Sequence, residues 1–263
     1  MNIQLNGKNA LICGSTQGIG KACAIELARL GANITLFARN PEQLKAVCSE
    51  LDTAQDQQHD YLSADFDKPE QVQETLIVYL SETSKKMHIL VNNTGGPPSG
   101  RITDAQSKDF LSAYQRHLIC NQLLAMGVLE GMKQAKYGRI INIISTSVKE
   151  PLANLGVSNT TRWAVAAWAK TWANEVAVHG ITVNNVLPGY TDTARLRSLI
   201  GTMAAKQGKT EEQIANEMLN SVPMLRFADA HEIAAAVAFL ASPAASYING
   251  INLPVDGGRT KSL

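Results

Sequence analysis

A glycine-rich turn near the amino terminus constrains the fold of this chain more than any other feature. The apolar residues 10–12 predict a strand, and Gly14, Gly18 and Gly20 follow it at the spacing Gly-x3-Gly-x-Gly, where a helix over residues 18–30 is expected to begin. Glycine lacks a Cβ atom, so the backbone can turn tightly there and approach a ligand closely. The helix directs its free N–H groups and the positive end of its dipole at the same point. A dinucleotide diphosphate fits that position, and the residues predicted to contact it are Gly14, Ser15, Thr16, Gln17, Gly18, Ile19 and Gly20.

Strand-like and helix-like stretches alternate along all 263 residues. Strands are expected at residues 8–13, 33–38, 60–64, 88–92, 138–145, 181–187 and 251–255. Helical sequence separates them, including two pieces over residues 104–135. This alternation predicts one α/β domain over residues 1–263, a Rossmann-like doubly wound parallel sheet of seven strands with helices on both faces. Ligands of such sheets bind beyond the carboxyl ends of the strands.

Charge and cysteine content narrow the class of function. The chain has 24 basic and 23 acidic residues, a formal net charge of +1, which gives no electrostatic footprint for nucleic acid or an anionic membrane. Its apolar runs are too short to span a bilayer, and the first residues do not resemble a secretory signal. The four cysteines have no C-x-x-C spacing and no histidine cluster beside them, so no metal site and a reducing, cytoplasmic location are expected.

Polar residues follow the second and third predicted strands. Arg39 stands where an acidic residue would bond both ribose hydroxyls of NAD, and its planar guanidinium instead suits the 2′-phosphate of NADP(H). Asp65 is placed to accept from the adenine amino group. The alternatives are a solvated surface arginine and an aspartate that interacts with a helix dipole. We favour NADP(H) over NAD(H).

Two later loops complete the predicted cofactor site. Asn92, Thr94 and Gly95 follow the fourth strand, where small and amide residues let the backbone face a cofactor. Pro188 and Gly189 end the sixth strand, and Thr193 is placed to hold the nicotinamide carboxamide or, alternatively, to cap a helix.

These motifs together resemble the short-chain dehydrogenase/reductase family over nearly the whole chain. The resemblance is carried by the glycine turn, by Asn92-Asn93-Thr94-Gly95, by the strand at residues 138–143, by Pro188-Gly189 and by Asp256-Gly257-Gly258. Among its members the chain is most similar to reductases described as acting on 3-oxoacyl carriers or sugars. The resemblance implies hydride transfer between a nicotinamide and a carbonyl or alcohol substrate, a homotetramer or dimer, and a substrate lid at about residues 191–224.

The family's catalytic residues are a serine, a tyrosine and a lysine at Tyr-x3-Lys spacing, and a helical asparagine. Ser145 matches the serine. Ser158 stands where the tyrosine is expected and Arg162 where the lysine is expected, so the catalytic candidates are Ser145, Ser158, Arg162 and His117. His117 aligns with the asparagine, although Asn121 one turn later is an alternative.

The serine at the tyrosine position leaves the source of the proton open. An aliphatic hydroxyl is a far weaker acid than a phenol, whose pKa is about 10. His117, which titrates near neutral pH, or Tyr190 is an alternative acid. Ser145 and Arg162 can also act as electrophiles while water supplies the proton. The other hypotheses are a chain that binds cofactor without redox chemistry, as a sensor or assembly partner, and a relic site. Arg195 and Arg197 indicate an anionic substrate group or an ordinary solvated face.

Overall fold

Seven parallel strands form one sheet in the computed structural model of the chain, which describes residues 1–262. The strands are β1 (Asn9–Cys13), β2 (Asn33–Ala38), β3 (Asp60–Ser63), β4 (Ile89–Asn92), β5 (Gly138–Ile143), β6 (Ile181–Pro188) and β7 (Asn252–Val255). Their order is β3-β2-β1-β4-β5-β6-β7, and every neighbouring pair is parallel. The order reverses between β1 and β4, so the carboxyl ends of these two strands flank the crevice where this fold binds ligands. The predicted fold class is confirmed.

Nine α-helices connect these strands within the described residues. They are α1 (Gly18–Arg29), α2 (Pro41–Ser49), α3 (Pro69–Thr83), α4 (Ser107–Tyr114), α5 (Cys120–Ala135), α6 (Gly156–Val176), α7 (Ala194–Gln207), α8 (Glu211–Asn220) and α9 (Ala230–Ala241). Local sequence explains their ends. The Asn40 side chain accepts hydrogen bonds from the N–H groups of Glu42 and Gln43, and Pro41 occupies the first turn of α2.

Alternate residues of the buried strands pack on opposite faces of the sheet. Ile12 and Val91 belong to a core shared with α1 and α9. Leu11 and Leu90 belong to a second core, which includes side chains of α3, α5 and α6. Each fully buried leucine or isoleucine contributes about 1.5–3 kcal/mol relative to its exposed state. This two-sided burial explains why the strands are apolar without polar alternation.

The helical stretch before β5 differs from the two separate pieces that were expected. A π-helical segment, Gln115–Ile119, joins α4 to α5 without a break. The N–H of Cys120 donates to the Gln115 carbonyl, five residues earlier, which widens the helix by one residue at His117. Such segments frequently occur at functional sites.

Two tryptophans share one face of α6 and pack against each other. Trp168 and Trp172 have ring centroids 5.7 Å apart, and both indole N–H groups donate to Oε1 of Gln122 on α5. Trp172 is buried, whereas Trp163, one turn before Trp168, is half exposed.

The stretch after β6 forms α7 and α8, which share an apolar cluster of their own. Its buried members are Leu196, Ile200, Ala204, Ile214 and Met218. In residues 1–262, no helix combines the length and the apolar character that crossing a bilayer requires. The same residues contain no group of three or more acidic, histidine or cysteine side chains suited to a metal ion.

Candidate active site

The glycine turn between β1 and α1 is held in a shape that only glycine allows at two of its positions. Gly14 has φ +59°. A Cβ atom on Gly20 would lie 2.1 Å from the Gly14 carbonyl oxygen and 2.7 Å from Asn93 Nδ2. Asn93 fixes the turn from the other side of the crevice, because its Nδ2 donates to the carbonyl oxygens of Cys13 and Gly14 at 3.3 and 3.2 Å. Sequence analysis did not assign Asn93 this role, although it lies in the loop motif after β4.

The helix behind the turn presents its positive end to the crevice. No side chain caps the amino terminus of α1, since Gln17 makes no capping hydrogen bond, and the first turn contains no acidic residue. These unsatisfied N–H groups suit an anion. Ser15 is buried, and its Oγ accepts from the Phe37 N–H at 3.0 Å. The Ser15 side chain therefore supports the turn from within.

Arg39 and Asp65 lie side by side at the carboxyl ends of β2 and β3. The Arg39 side chain is 75% exposed, and its Nη1 lies 4.0 Å from Asp65 Oδ1. That oxygen also accepts from the Asp67 N–H at 3.1 Å. An exposed pair at this distance contributes little, about 0–1 kcal/mol, so the Arg39 guanidinium can turn to another anion at small cost.

A row of asparagine side chains runs beneath the crevice and was missed by sequence analysis. Nδ2 of Asn92 donates to Oδ1 of Asn142, Asn142 donates to Asn185, and Asn185 donates to Asn252, at 2.9, 2.8 and 2.8 Å. The row therefore crosses β4, β5, β6 and β7. Oδ1 of Asn92 is buried without a partner. The only sequence signal was an asparagine in each of these four strands, with no indication that they align.

Ser145, Ser158 and Arg162 occupy the end of β5 and the start of α6. Ser145 is half-buried, and its Oγ accepts from the Ser147 N–H at 3.1 Å. Ser158 and Arg162 are one helical turn apart, so their side chains share a face of α6. Arg162 is only 8% exposed, and its Nη1 donates to the Ile143 carbonyl at 3.1 Å. Burial, with a further contribution from Arg195, lowers the pKa of Arg162 to about 10, so the group stays charged at neutral pH.

His117 contacts the loop after β4. Its Nδ1 lies 2.7 Å from Thr94 Oγ1, the ring is 2% exposed, and Nε2 is buried without a partner. Burial holds the pKa of His117 well below its usual range, and the charges of Arg162, Arg116 and Arg195 lower it further. The imidazole is therefore neutral at neutral pH. The expectation that it titrates in that range is wrong, because the sequence did not reveal burial among three guanidinium groups.

The same loop gathers Arg162 and Arg195. Nη2 of Arg195 donates to the Pro97 carbonyl at 2.6 Å. A Cβ atom on Gly96 would lie 3.5 Å from Arg195 Nη2 and 3.9 Å from Arg162 Nη2. Residues 94–97 therefore bring together side chains from the π segment, α6 and α7.

The end of β6 closes the crevice on the side of α7. Thr193 caps α7 by accepting from the Leu196 N–H, as one of the two alternatives predicted, and its Cγ2 lies 3.3 Å from a Cβ position on Gly18. Gly189 packs against Asp256, whose Cα would lie 2.6 Å from a Gly189 Cβ. Tyr190 lies beneath the Arg259 guanidinium, 4.3 Å from its ring centroid.

The buried neutral imidazole predicts a pH-dependent stability. His117 gains a proton in the unfolded chain below pH about 6.5 but not in the folded protein, so stability is present above that pH and is lost as the pH falls. The loss is about 1.4 kcal/mol for each pH unit below 6.5. We expect the difference in unfolding free energy between wild type and His117→Gln to shrink between pH 7.5 and pH 5, each measured by urea titration. A His117→Gln difference that stays constant would contradict the assignment.

Together, the parallel sheet, the glycine turn and the uncapped helix define a Rossmann-like nucleotide-binding fold. A family profile described as Enoyl-(Acyl carrier protein) reductase matches residues 14–260. The chain is 35% identical over 256 residues to the 3-oxoacyl-[acyl-carrier-protein] reductase FabG of Haemophilus influenzae, covering 97% of this chain and 98% of that protein. It is 27% identical over 259 residues to the NADPH-dependent reductase BacG of Bacillus subtilis, with 98% and 100% coverage.

A solved structure of a reductase has the same fold over the whole chain. L-sorbose reductase from Gluconobacter frateurii, complexed with NADPH and L-sorbose, superimposes with a TM-score of 0.93 at 29% identity and covers 100% of both chains. The chain belongs to the short-chain dehydrogenase/reductase family. The predictions of the family and of an oxidoreductase are confirmed.

Proposed function

We propose that this protein is an NADP(H)-dependent oxidoreductase that interconverts a small carbonyl compound and its alcohol. The observation that carries this proposal is the buried, charged Arg162, which donates to the carbonyl of Ile143, two residues before Ser145. When bound, the nicotinamide supplies or accepts the hydride. The similar sorbose reductase was solved with NADPH, and BacG is named for its dependence on NADPH.

The crevice residues fit such a cofactor. The free N–H groups at the start of α1 and the backbone of residues 14–20 suit its diphosphate. A Cβ atom on Gly95 would meet nothing within 4 Å, so the loop after β4 leaves space above the sheet edge. Asp65, Asn92 and Thr94 line the adjoining strand ends. Pro188, Gly189 and Thr193 border the opposite side.

The phosphate preference depends on Arg39. We expect wild type to bind NADPH at least about 10-fold more tightly than NADH, because a charge-assisted hydrogen bond to the 2′-phosphate contributes about 1.5–3 kcal/mol. Arg39→Gln should lose most of this preference, whereas Arg29→Gln, which changes an exposed arginine on α1, should retain it. Fluorescence titration with both nucleotides measures the ratio. A wild-type preference for NADH would refute the role of Arg39.

Because serine and arginine replace the tyrosine and lysine of the family pattern, the residues of this site take different catalytic roles. Ser145 donates to the substrate oxygen, and Arg162 stabilises negative charge as it develops there. A guanidinium has five N–H donors, and within residues 1–262 Arg162 donates one, on Nη1, to the Ile143 carbonyl, so others remain for a ligand. His117 is neutral, Ser158 is too weak an acid, and Tyr190 packs against Arg259 and Phe227, so water supplies the proton in this proposal.

A tyrosine at position 158 should restore the missing acid. We expect Ser158→Tyr to raise kcat/KM for NADPH-dependent carbonyl reduction by about 10²-fold, the lower end of general acid catalysis. The adjacent Arg162 charge would favour the phenolate and so lower the pKa of the new phenol. Ser158→Phe adds the same ring without the hydroxyl and should give no gain. Equal rates for the two variants would contradict water as the proton source in wild type.

A panel of ketones, aldehydes and sugars, with loss of NADPH absorbance as the readout, tests the activity itself. NADPH bound tightly but never consumed would refute it.

We also propose that residues 191–224 act as a substrate lid on the single domain of residues 1–263, and that the protein is a cytoplasmic homotetramer or dimer. Exposed apolar side chains at Leu111 in α4, Ile119 in the π segment and Met126 in α5 support self-association. Light scattering would measure the mass.

A further inference from the structure

Two arginines meet at one loop without acidic partners. Nη2 of Arg162 and Nη2 of Arg195 lie within 3.9 and 3.5 Å of the same point above Gly96. Each also donates to a backbone carbonyl, Arg162 to Ile143 and Arg195 to Pro97. In residues 1–262 neither forms an ion pair. By contrast, Arg116, which precedes His117, and Arg197, two residues after Arg195, pair with Asp67 and Asp192.

This arrangement is costly unless an anion completes it. Arg162 is buried, and a buried cation without a carboxylate keeps most of its desolvation penalty. Arg195 adds charge of the same sign, which further disfavours the charged form of Arg162. Close by, the buried His117 Nε2 has no partner. A ligand that places one negative charge near Gly96 would offset the desolvation of Arg162 and its repulsion with Arg195, and it could also offer an acceptor to His117.

We propose that Arg162 and Arg195 bind a carboxylate of the substrate through their Nη2 groups, and that the substrates are therefore oxo acids. Two planar guanidiniums match the two oxygens of a carboxylate. This assignment rests on the proposed reductase function and specifies its substrate.

The proposed reaction is the reduction of an oxo acid to a hydroxy acid by NADPH. The carbonyl carbon of the oxo acid receives a hydride from NADPH, and the C=O double bond becomes a C–O single bond. The oxygen receives a proton from water, which leaves as hydroxide to the solvent, and the products are a hydroxy acid and NADP⁺. The carboxylate itself does not react, and its contacts orient the carbonyl toward Ser145.

Matched substrate pairs test the proposal through turnover. Pyruvate, acetoacetate and laevulinate place the carbonyl at three distances from the carboxylate, and each is compared with its methyl ester. We expect wild type to prefer at least one acid over its ester in kcat/KM by about 10- to 100-fold, the value of a charge-assisted contact. Arg195→Met should reduce that ratio to near one. Arg197→Met, an exposed neighbour paired with Asp192, should leave the ratio within about twofold of wild type.

A binding measurement keeps the test independent of turnover. Calorimetry with NADP⁺-saturated protein should detect the preferred acid, and Arg195→Met should weaken its binding about 10-fold or more. Inorganic phosphate binding as tightly as the acid, no acid binding, or an unchanged ratio in Arg195→Met would each overturn the carboxylate site. A selective loss of NADPH over NADH binding in Arg195→Met would also overturn it, by assigning Arg195 to the cofactor phosphate. NADPH consumption with esters but not acids would refute this inference while leaving the reductase function intact.

Discussion

Gly20→Ala should weaken NADPH binding by about 100-fold or more and lower the free energy of unfolding by about 1–3 kcal/mol. A methyl group at this position would lie 2.1 Å from the Gly14 carbonyl oxygen and 2.7 Å from Asn93 Nδ2. Neither neighbour can retreat freely, since Gly14 donates its N–H to the Phe37 carbonyl and Asn93 clamps the same turn. The start of α1 must therefore move away from the turn, and its free N–H groups no longer point at the diphosphate of the cofactor.

The matched control is Gly100→Ala. A Cβ atom there would meet nothing within 4 Å, and its φ is not in the left-handed region. Fluorescence titration and urea unfolding of both variants separate the two effects. If Gly20→Ala bound NADPH as wild type does, the crevice between β1 and β4 would not be the cofactor site.

Replacement of Arg162 should change activity and stability in opposite directions. We expect Arg162→Met to lower kcat/KM about 10²- to 10³-fold, the usual loss when one donor to a developing oxyanion is removed. The same change should raise the free energy of unfolding by about 1–3 kcal/mol, because it removes a buried charge that has no acidic partner and substitutes apolar packing. Steady-state kinetics measure kcat/KM, and urea unfolding measures the free energy of unfolding.

Arg139 provides the contrast for that experiment. It is as buried, at 3% exposure, but donates to the carbonyls of Gly138, Gly180 and Ser242 and stacks on Tyr137, 4.1 Å from the ring centroid. Arg139→Met should therefore destabilise the protein, since it leaves several buried acceptors unpaired. If Arg162→Met were equally destabilising, Arg162 would be a structural residue and the catalytic proposal would fail.

The architecture of this protein follows from local sequence to a large extent. Apolar runs such as residues 89–91 allow burial on both sheet faces, and Asn40-Pro41 fixes the start of a helix through capping. Since parallel strands end at one edge, the positions of Arg39, Asp65 and Ser145 at that edge followed from strand assignment alone.

The electrostatics of the site did not follow, because they depend on contacts between distant segments. Nothing in the sequence near His117 indicates a π segment or burial among three arginines. Arg195 was recognised as close to the crevice, but its approach to Gly96 and Pro97 depends on how α7 packs across the loop after β4.

The asparagine row from β4 to β7 has one direction of hydrogen bonding across the sheet. Each amide donates to the next in one sense only, from Asn92 through Asn142 and Asn185 to Asn252. Turning over a single amide would set oxygen against oxygen or NH₂ against NH₂, so the four can reverse only in concert. The amides of four strands, spread over about 14 Å, are thus oriented as one unit. The loop that carries Thr94 and Gly96 follows Asn92, and the orientation of the Asn92 amide is therefore coupled through this row to β7, the last strand of the chain.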